Sequence, residues 1–225
     1  MSFFNPFASN QQTAVVQIPS IRKYKPSILP EDIEPMELAV FPGKIKVITK
    51  EGRDYKHAIK HLKEQRFIGF DTETKPTFQP HMPRPHTALL QLSSESEAFL
   101  FRLHDLGLPD DLAAIMADPY ITKIGAAVGD DIRGLQYYNR FEAQRFMDLQ
   151  RLGEEYGIQD KSVRKMSAII LGLKVSKAQQ CSNWEAGELS DAQQQYAATD
   201  AWICLRMYKA LLASERVGKQ ELKNE

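Results

Sequence analysis

Phe67-Ile68-Gly69-Phe70-Asp71-Thr72-Glu73-Thr74 is an apolar run that closes on two carboxylates two residues apart. Successive side chains of a strand point to opposite faces, so residues i and i+2 share one. The run predicts a strand over 67–73 that delivers Asp71 and Glu73 side by side into one small space. Two like charges ~4 Å apart, at an effective dielectric of about 20, repel by about 4 kcal/mol. That is a large share of the ~5–15 kcal/mol that holds a typical domain together. A divalent cation between the carboxylates removes the penalty and gives the arrangement a use. A polar, solvated strand end is the plainer alternative, and the pair alone does not choose between them.

Two further stretches bear on the choice. Residues 121–128 read as a short buried strand that Gly129 interrupts, with Ile132, Leu135 and Tyr138 at helical spacing behind it. Asp130 and Asp131 fall at this strand-to-helix junction. Aspartate is a preferred N-cap and suits the positive end of a helix, so one of the pair is expected to cap and the other to face the site. Further on, Ser190 followed by Gln193 is a capping-box pattern that begins a helix. On that helix Tyr196 and Asp200, at i and i+4, are neighbours on one face. Asp200 is flanked by Ala197, Ala198, Ala201, Trp202 and Ile203. A carboxylate on so apolar a helix is costly unless it is paired or metal-bound.

In combination these residues resemble the DEDD superfamily of 3′–5′ exonucleases, in the branch that carries a tyrosine in its last motif. Ribonuclease D, the exonuclease domain of the Werner-syndrome helicase and the proofreading domain of family A DNA polymerases belong to it. Asp71 and Glu73 match the first motif, Asp-x-Glu after an apolar strand. Asp131, opening an Asp-x-x-x-Leu run to Leu135, matches the second, and Tyr196 with Asp200 matches Tyr-x-x-x-Asp, the third. Ser182-Asn183-Trp184 followed by Leu189-Ser190 is similar to the approach to the third motif in ribonuclease D-like and Werner-like members. The resemblance covers roughly residues 41–214. Glu185-Ala186-Gly187 stands where ribonuclease D often has a basic residue, a departure that bears on substrate preference.

The resemblance implies a ribonuclease H-like α/β fold, a mixed β-sheet flanked by helices. It implies release of nucleoside 5′-monophosphates from the 3′ end of DNA or RNA with two divalent cations, Mg²⁺ or Mn²⁺, as cofactors. Asp71 would bridge both ions, Glu73 and Asp200 would share the one that activates water, and Asp131 would hold the other. Tyr196 would orient the attacking water; a phenol with a pKa near 10 is a poor base at neutral pH. Thr72, Thr74, Lys165 and Lys174 are the expected substrate contacts, with Phe78 a candidate to stack on the terminal base.

Bulk properties are compatible with this and exclude little. The chain has 225 residues, 43% of them hydrophobic and 26% charged, which suits one globular domain plus a tail. Twenty-nine basic residues balance twenty-nine acidic ones, so a nucleic-acid partner requires a local basic patch. Lys161, Arg164, Lys165, Lys174 and Lys177 supply a candidate, in a stretch without an acidic residue. Cys181 and Cys204 form no paired-cysteine motif, which argues against a structural zinc and fits a reduced, cytoplasmic setting. No apolar run approaches a membrane span, and the start lacks a secretory pattern.

Prolines at 6, 19, 26, 30 and 35 mark residues 1–40 as an extended or loosely packed, partly disordered arm, with Phe3, Phe4 and Phe7 available to dock on the domain or on a protein partner. Residues 41–216 form the domain and 217–225 a charged tail. Strands are expected at 44–49, 67–73, 88–92, 98–103 and 121–128. Helices are expected at 53–65, 110–117, 131–139, 149–156, 162–172 and 191–214. A proline-rich loop at 75–86 carries His81 and His86. His57 and His61, at i and i+4 on the first of those helices, have chelate spacing, although a surface pair among lysines is the simpler account.

Other function classes meet specific obstacles. A haloacid dehalogenase-like phosphohydrolase needs Asp-x-Asp, and Glu73 does not fit. A non-catalytic nucleic-acid-binding module on the same fold would be marked by a missing carboxylate, and none of the four is missing.

Overall fold

A computed structural model describes residues 24–76 and 85–214. Phe3, Phe4, Phe7, Phe78, His81 and the tail 217–225 lie outside the described residues. The chain builds β1 (Lys44–Ile48), α2 (Arg53–Lys63), β2 (Phe67–Thr74), β3 (Thr87–Ser93) and β4 (Glu97–Arg102), after a one-turn α1 (Pro30–Ile33). Then come α3 (Leu103–Leu106), α4 (Asp110–Ala117), β5 (Thr122–Gly125), α5 (Val128–Tyr138) and β6 (Phe146–Asp148). Three helices finish it: α6 (Leu149–Glu154), α7 (Val163–Leu171) and the long α8 (Asp191–Leu212).

The six strands form one mixed sheet in the order β1-β4-β3-β2-β5-β6. β3 is antiparallel to both neighbours, and the other pairings are parallel. This is the α/β architecture expected from the sequence. Alternation decides which side chains meet which layer. Ile68 and Phe70 of β2, with Phe99 and Phe101 of β4, pack under α2, α4 and α5. Ala98 and Ile124 face the opposite layer, where α6, α7 and α8 pack through Leu149, Met166 and Ile203.

α8 begins where Ser190 and Gln193 predict: the Ser190 side chain accepts from the Gln193 amide, and the Gln193 side chain accepts from the Ser190 amide. It comes close to the sheet at Gly69, where a Cβ would stand 1.9 Å from the Ala201 carbonyl oxygen. Only a residue without a side chain admits that contact. Gly69 is two residues before Asp71, and Ala201 is one residue after Asp200, so this contact sets the distance between the two acids. Gly69→Ala is expected to push α8 outward and cost about 1–3 kcal/mol, the range of overpacking. That lowers the melting temperature by about 2–12 °C, which calorimetry measures; an unshifted transition means α8 yields freely.

Three expectations need correction. Residues 24–40, assigned to a loose arm, are docked onto the domain. Ile33 and Ile28 are buried, Pro26 O accepts from the Gln159 amide at 2.8 Å, and residues 37–39 exchange backbone hydrogen bonds with Lys174. Prolines rule out a long helix here but not packing of apolar residues between them. The 121–128 strand is also shorter. It ends at Gly125, Ala127 turns the chain in the left-handed region (φ 57°), and α5 starts at Val128. The Asp148 carboxylate holds that turn by accepting the Ala127 amide at 3.1 Å. Gly129 therefore lies inside the helix, and neither Asp130 nor Asp131 caps it. Finally, β6 has only three half-buried residues, too few for a periodicity.

Candidate active site

The carboxyl half of β2 presents Asp71 and Glu73 to the face that α8 covers, as the two-residue spacing requires. α8 brings Asp200, buried at 8% exposure. Asp71, Glu73 and Asp200 each place a carboxylate oxygen within 4.8 Å of the others. They line a cleft of about 300 Å³ with Thr72, Tyr196, Arg164, Ser176, Lys177 and Gln180.

The fourth acid arrives from the other layer. Asp131 sits in the first turn of α5 and accepts a 2.5 Å hydrogen bond from the Thr72 hydroxyl. Thr72 itself lies between the two β2 carboxylates. Asp130 instead points to solvent and pairs with Arg133. Asp131 is the member of the pair that reaches the cluster, and its charge acts on Asp71 and Glu73.

The electrostatics are those of an acidic cluster awaiting positive charge. Burial, then the charges of Asp200 and Asp131, lifts the Asp71 carboxyl well above the usual range. Burial and then Asp71 push Glu73 up to about 10. Burial raises Asp200 to about 7, against an opposing hydrogen bond from Tyr196. Asp131 is raised by burial and lowered in part by Thr72. Asp200 Oδ1 is buried without a hydrogen-bond partner, and a buried, unpaired carboxylate oxygen is costly. Oxygen-only donors that converge in this way suit hard divalent cations. The donor set thus fits the cofactors that the sequence implies.

Tyr196 lies one turn before Asp200. Burial and the neighbouring Asp200 and Glu73 raise its phenol far above 10, so it is a fixed hydrogen-bond donor. Its ring packs on Trp184, centroid to centroid 6.0 Å, and Trp184 is fully buried against Leu89 and Leu100. The Asn183-Trp184 approach therefore acts as a backstop for Tyr196.

The basic residues depart from expectation. Lys165 Nζ bonds the Asp160 carboxylate at 2.8 Å, and Lys174 Nζ bonds the Glu34 carbonyl at 2.7 Å and its carboxylate at 3.5 Å. Arg164 also pairs with Glu34, and Lys161 with Glu154. Neither Lys165 nor Lys174 lines the cleft; Lys177 does. The acids that neutralise the patch lie outside its stretch of sequence, so a local count of charges misses them. Thr74 is exposed and borders a neighbouring groove with Lys75, His86 and Tyr137. Asp148, which orients α5, was also not singled out, although an aspartate just before the helix expected at 149–156 is a visible cap signal. It does cap α6 through the Gln150 amide at 2.9 Å.

A family model described as 3′-5′ exonuclease matches residues 47–214. The chain belongs to the 3′–5′ exonuclease family. Within it, exonuclease 3′-5′ domain-containing protein 2 of Drosophila melanogaster is 32% identical over 155 residues, covering 67% of this chain and 26% of that protein. The mouse bifunctional 3′-5′ exonuclease/ATP-dependent helicase WRN is 29% identical over 196 residues, covering 82% of this chain and 14% of that one. The chain thus spans about a quarter or less of these relatives. The crystal structure of Escherichia coli RNase D, an exoribonuclease involved in structured RNA processing, superposes with a TM-score of 0.67 at 24% identity, covering 76% of this chain and 44% of that one. The family's divalent-metal chemistry accords with the acidic cluster.

Proposed function

We propose that this exonuclease domain is an active phosphodiesterase of the tyrosine branch that removes nucleoside 5′-monophosphates from the 3′ end of a nucleic acid. The observation that carries this is the convergence of Asp71, Glu73 and Asp200 around a buried, unpartnered Asp200 Oδ1, with the Tyr196 hydroxyl beside it. Asp71, Glu73, Asp200 and Asp131 would hold two ions of the Mg²⁺ or Mn²⁺ class. When bound, such ions lower the pKa of water and neutralise charge on the attacking and leaving oxygens.

The chain's own groups set the geometry. Asp71, on which the charges of both Asp200 and Asp131 act, would be the shared ligand. Thr72 holds Asp131 in one orientation through its hydroxyl. Tyr196, protonated across the neutral range, gives its one O–H to Asp200 and would turn it to the nucleophilic water when Asp200 ligates an ion, keeping the water in line with the scissile bond. Lys177, at the mouth of the cleft, meets the phosphates of the strand, in place of Lys165 and Lys174.

A labelled-oligonucleotide panel tests this: DNA and RNA, single- and double-stranded, with Mg²⁺, Mn²⁺ or chelator. Shortening from the 3′ end with release of monophosphates, abolished by chelator, is expected on at least one substrate. Binding without release on every substrate would favour the non-catalytic module. Tyr196→Phe is expected to lower kcat about a hundredfold, the loss of one positioned donor, while metal-dependent stabilisation persists. An unchanged kcat removes Tyr196 from the mechanism.

A further inference from the structure

A second group of metal-ligating side chains lies outside the acidic cleft. His57 and His61, one turn apart on α2, meet Glu97 at the start of β4, and one ligand atom of each lies within 4.8 Å of the others. His57 Nε2 is 2.8 Å from Glu97 Oε2, and His61 Nδ1 is 4.0 Å from Glu97 Oε1. The spacing of the histidines alone is ambiguous. The third ligand, from a strand distant in sequence, is what the fold adds.

Two details bear on a cation at this point. The Ser94 hydroxyl, which receives the amides of Ser96 and Glu97, also lies 2.9 Å from His61 Nε2. A partner on the other ring nitrogen orients a metal-ligating histidine. Both rings also rest on Phe99, at centroid distances of 5.9 and 5.5 Å, an apolar floor that keeps water from the underside. Lys46, a cation acting on Glu97, is tied to Asp54 at 2.7 Å.

We propose that His57, His61 and Glu97 bind one dication of the zinc class, with a fourth position open to solvent, and so clip α2 to the amino end of β4. With Zn–N and Zn–O near 2.0–2.1 Å, tetrahedral ligand atoms stand about 3.3 Å apart. Small side-chain rotations bring the 2.8 and 4.0 Å separations to that value. Two imidazoles and a carboxylate select zinc over magnesium, whereas an all-carboxylate cleft has the opposite preference. The two sites are independent. Glu97 shares its face with Phe99 and Phe101 under α2, while Asp71 shares the α8 face with Gly69.

Equilibrium Zn²⁺ titration of the full chain against a chromophoric chelator, with excess Mg²⁺ to occupy the acidic cleft, tests the site. The expected result is one equivalent of Zn²⁺ bound by the wild type and by Asp71→Asn. Binding should be weakened more than about tenfold in His57→Gln and in His61→Gln, since loss of even an outer-sphere partner costs that much. His57 has a side chain 42% exposed, so His57→Gln leaves the packing intact. Equal zinc uptake by wild type and His57→Gln, or loss of uptake in Asp71→Asn, overturns the proposal. Failure of the wild type to bind zinc at all reduces the cluster to an ion pair.

Discussion

Asp71→Asn is expected to abolish nucleotide release by at least about a thousandfold while making the metal-free protein more stable. The two effects have one origin. Asp71 lies among Glu73, Asp200 and Asp131, so removing its charge relieves repulsion in the metal-free state. On the proposed function the same substitution removes a metal ligand. Transition-state stabilisation by such ions is worth several kcal/mol, and each 1.36 kcal/mol is tenfold in rate. In chelator the melting temperature of Asp71→Asn should exceed that of the wild type by a few degrees, at about 2–4 °C per kcal/mol for a chain of this size. Calorimetry and a 3′-end release assay on the same preparation read both. Retained release refutes the ligand role. A less stable variant would make Asp71 a structural residue instead.

The second large effect is the response of stability to pH and to divalent cations. Glu73 and Asp200 have folded-state values of about 10 and 7, and Asp71 is raised well above its ordinary value. Carboxyls in the unfolded chain titrate near pH 4. Between pH 4 and those folded-state values the native state holds more protons than the unfolded one, so stability declines as pH rises. The decline passes through pH 7 for Asp200 and continues toward pH 10 for Glu73. Divalent cations bind the ionised form and release these protons, so they stabilise more at pH 8 than at pH 5. At a hundredfold excess over the dissociation constant the gain is about 2.7 kcal/mol, or about 5–11 °C. Melting curves across pH with Mg²⁺, Mn²⁺ or chelator measure this. Curves that do not depend on the cation at pH 8 would contradict a metal-loaded cluster.

What the sequence disclosed of this site was its local geometry. Asp71 and Glu73 share a face because strands alternate, and Tyr196 and Asp200 share one because helices repeat near four residues. The Ser190–Gln193 box fixed the phase of α8. What it withheld was settled by partners far along the chain. The turn at Ala127 depends on Asp148, so the start of α5 could not be placed from residues 121–135. Lys165 and Lys174 look free until Asp160 and the Glu34 of a docked segment neutralise them. His57 and His61 gain a possible ligand only when β4 lies beside α2.

The contact of Gly69 with Ala201 has a kinetic corollary. More than half of the chain separates Asp71 from Asp200, and closing so long a loop is entropically slow. During synthesis the acids on β2 emerge first, and every other element of the sheet and its flanking helices must follow before α8 can seat. A nascent or truncated product lacking that helix therefore lacks Tyr196 and Asp200, and the acidic cluster is complete only when the native topology is.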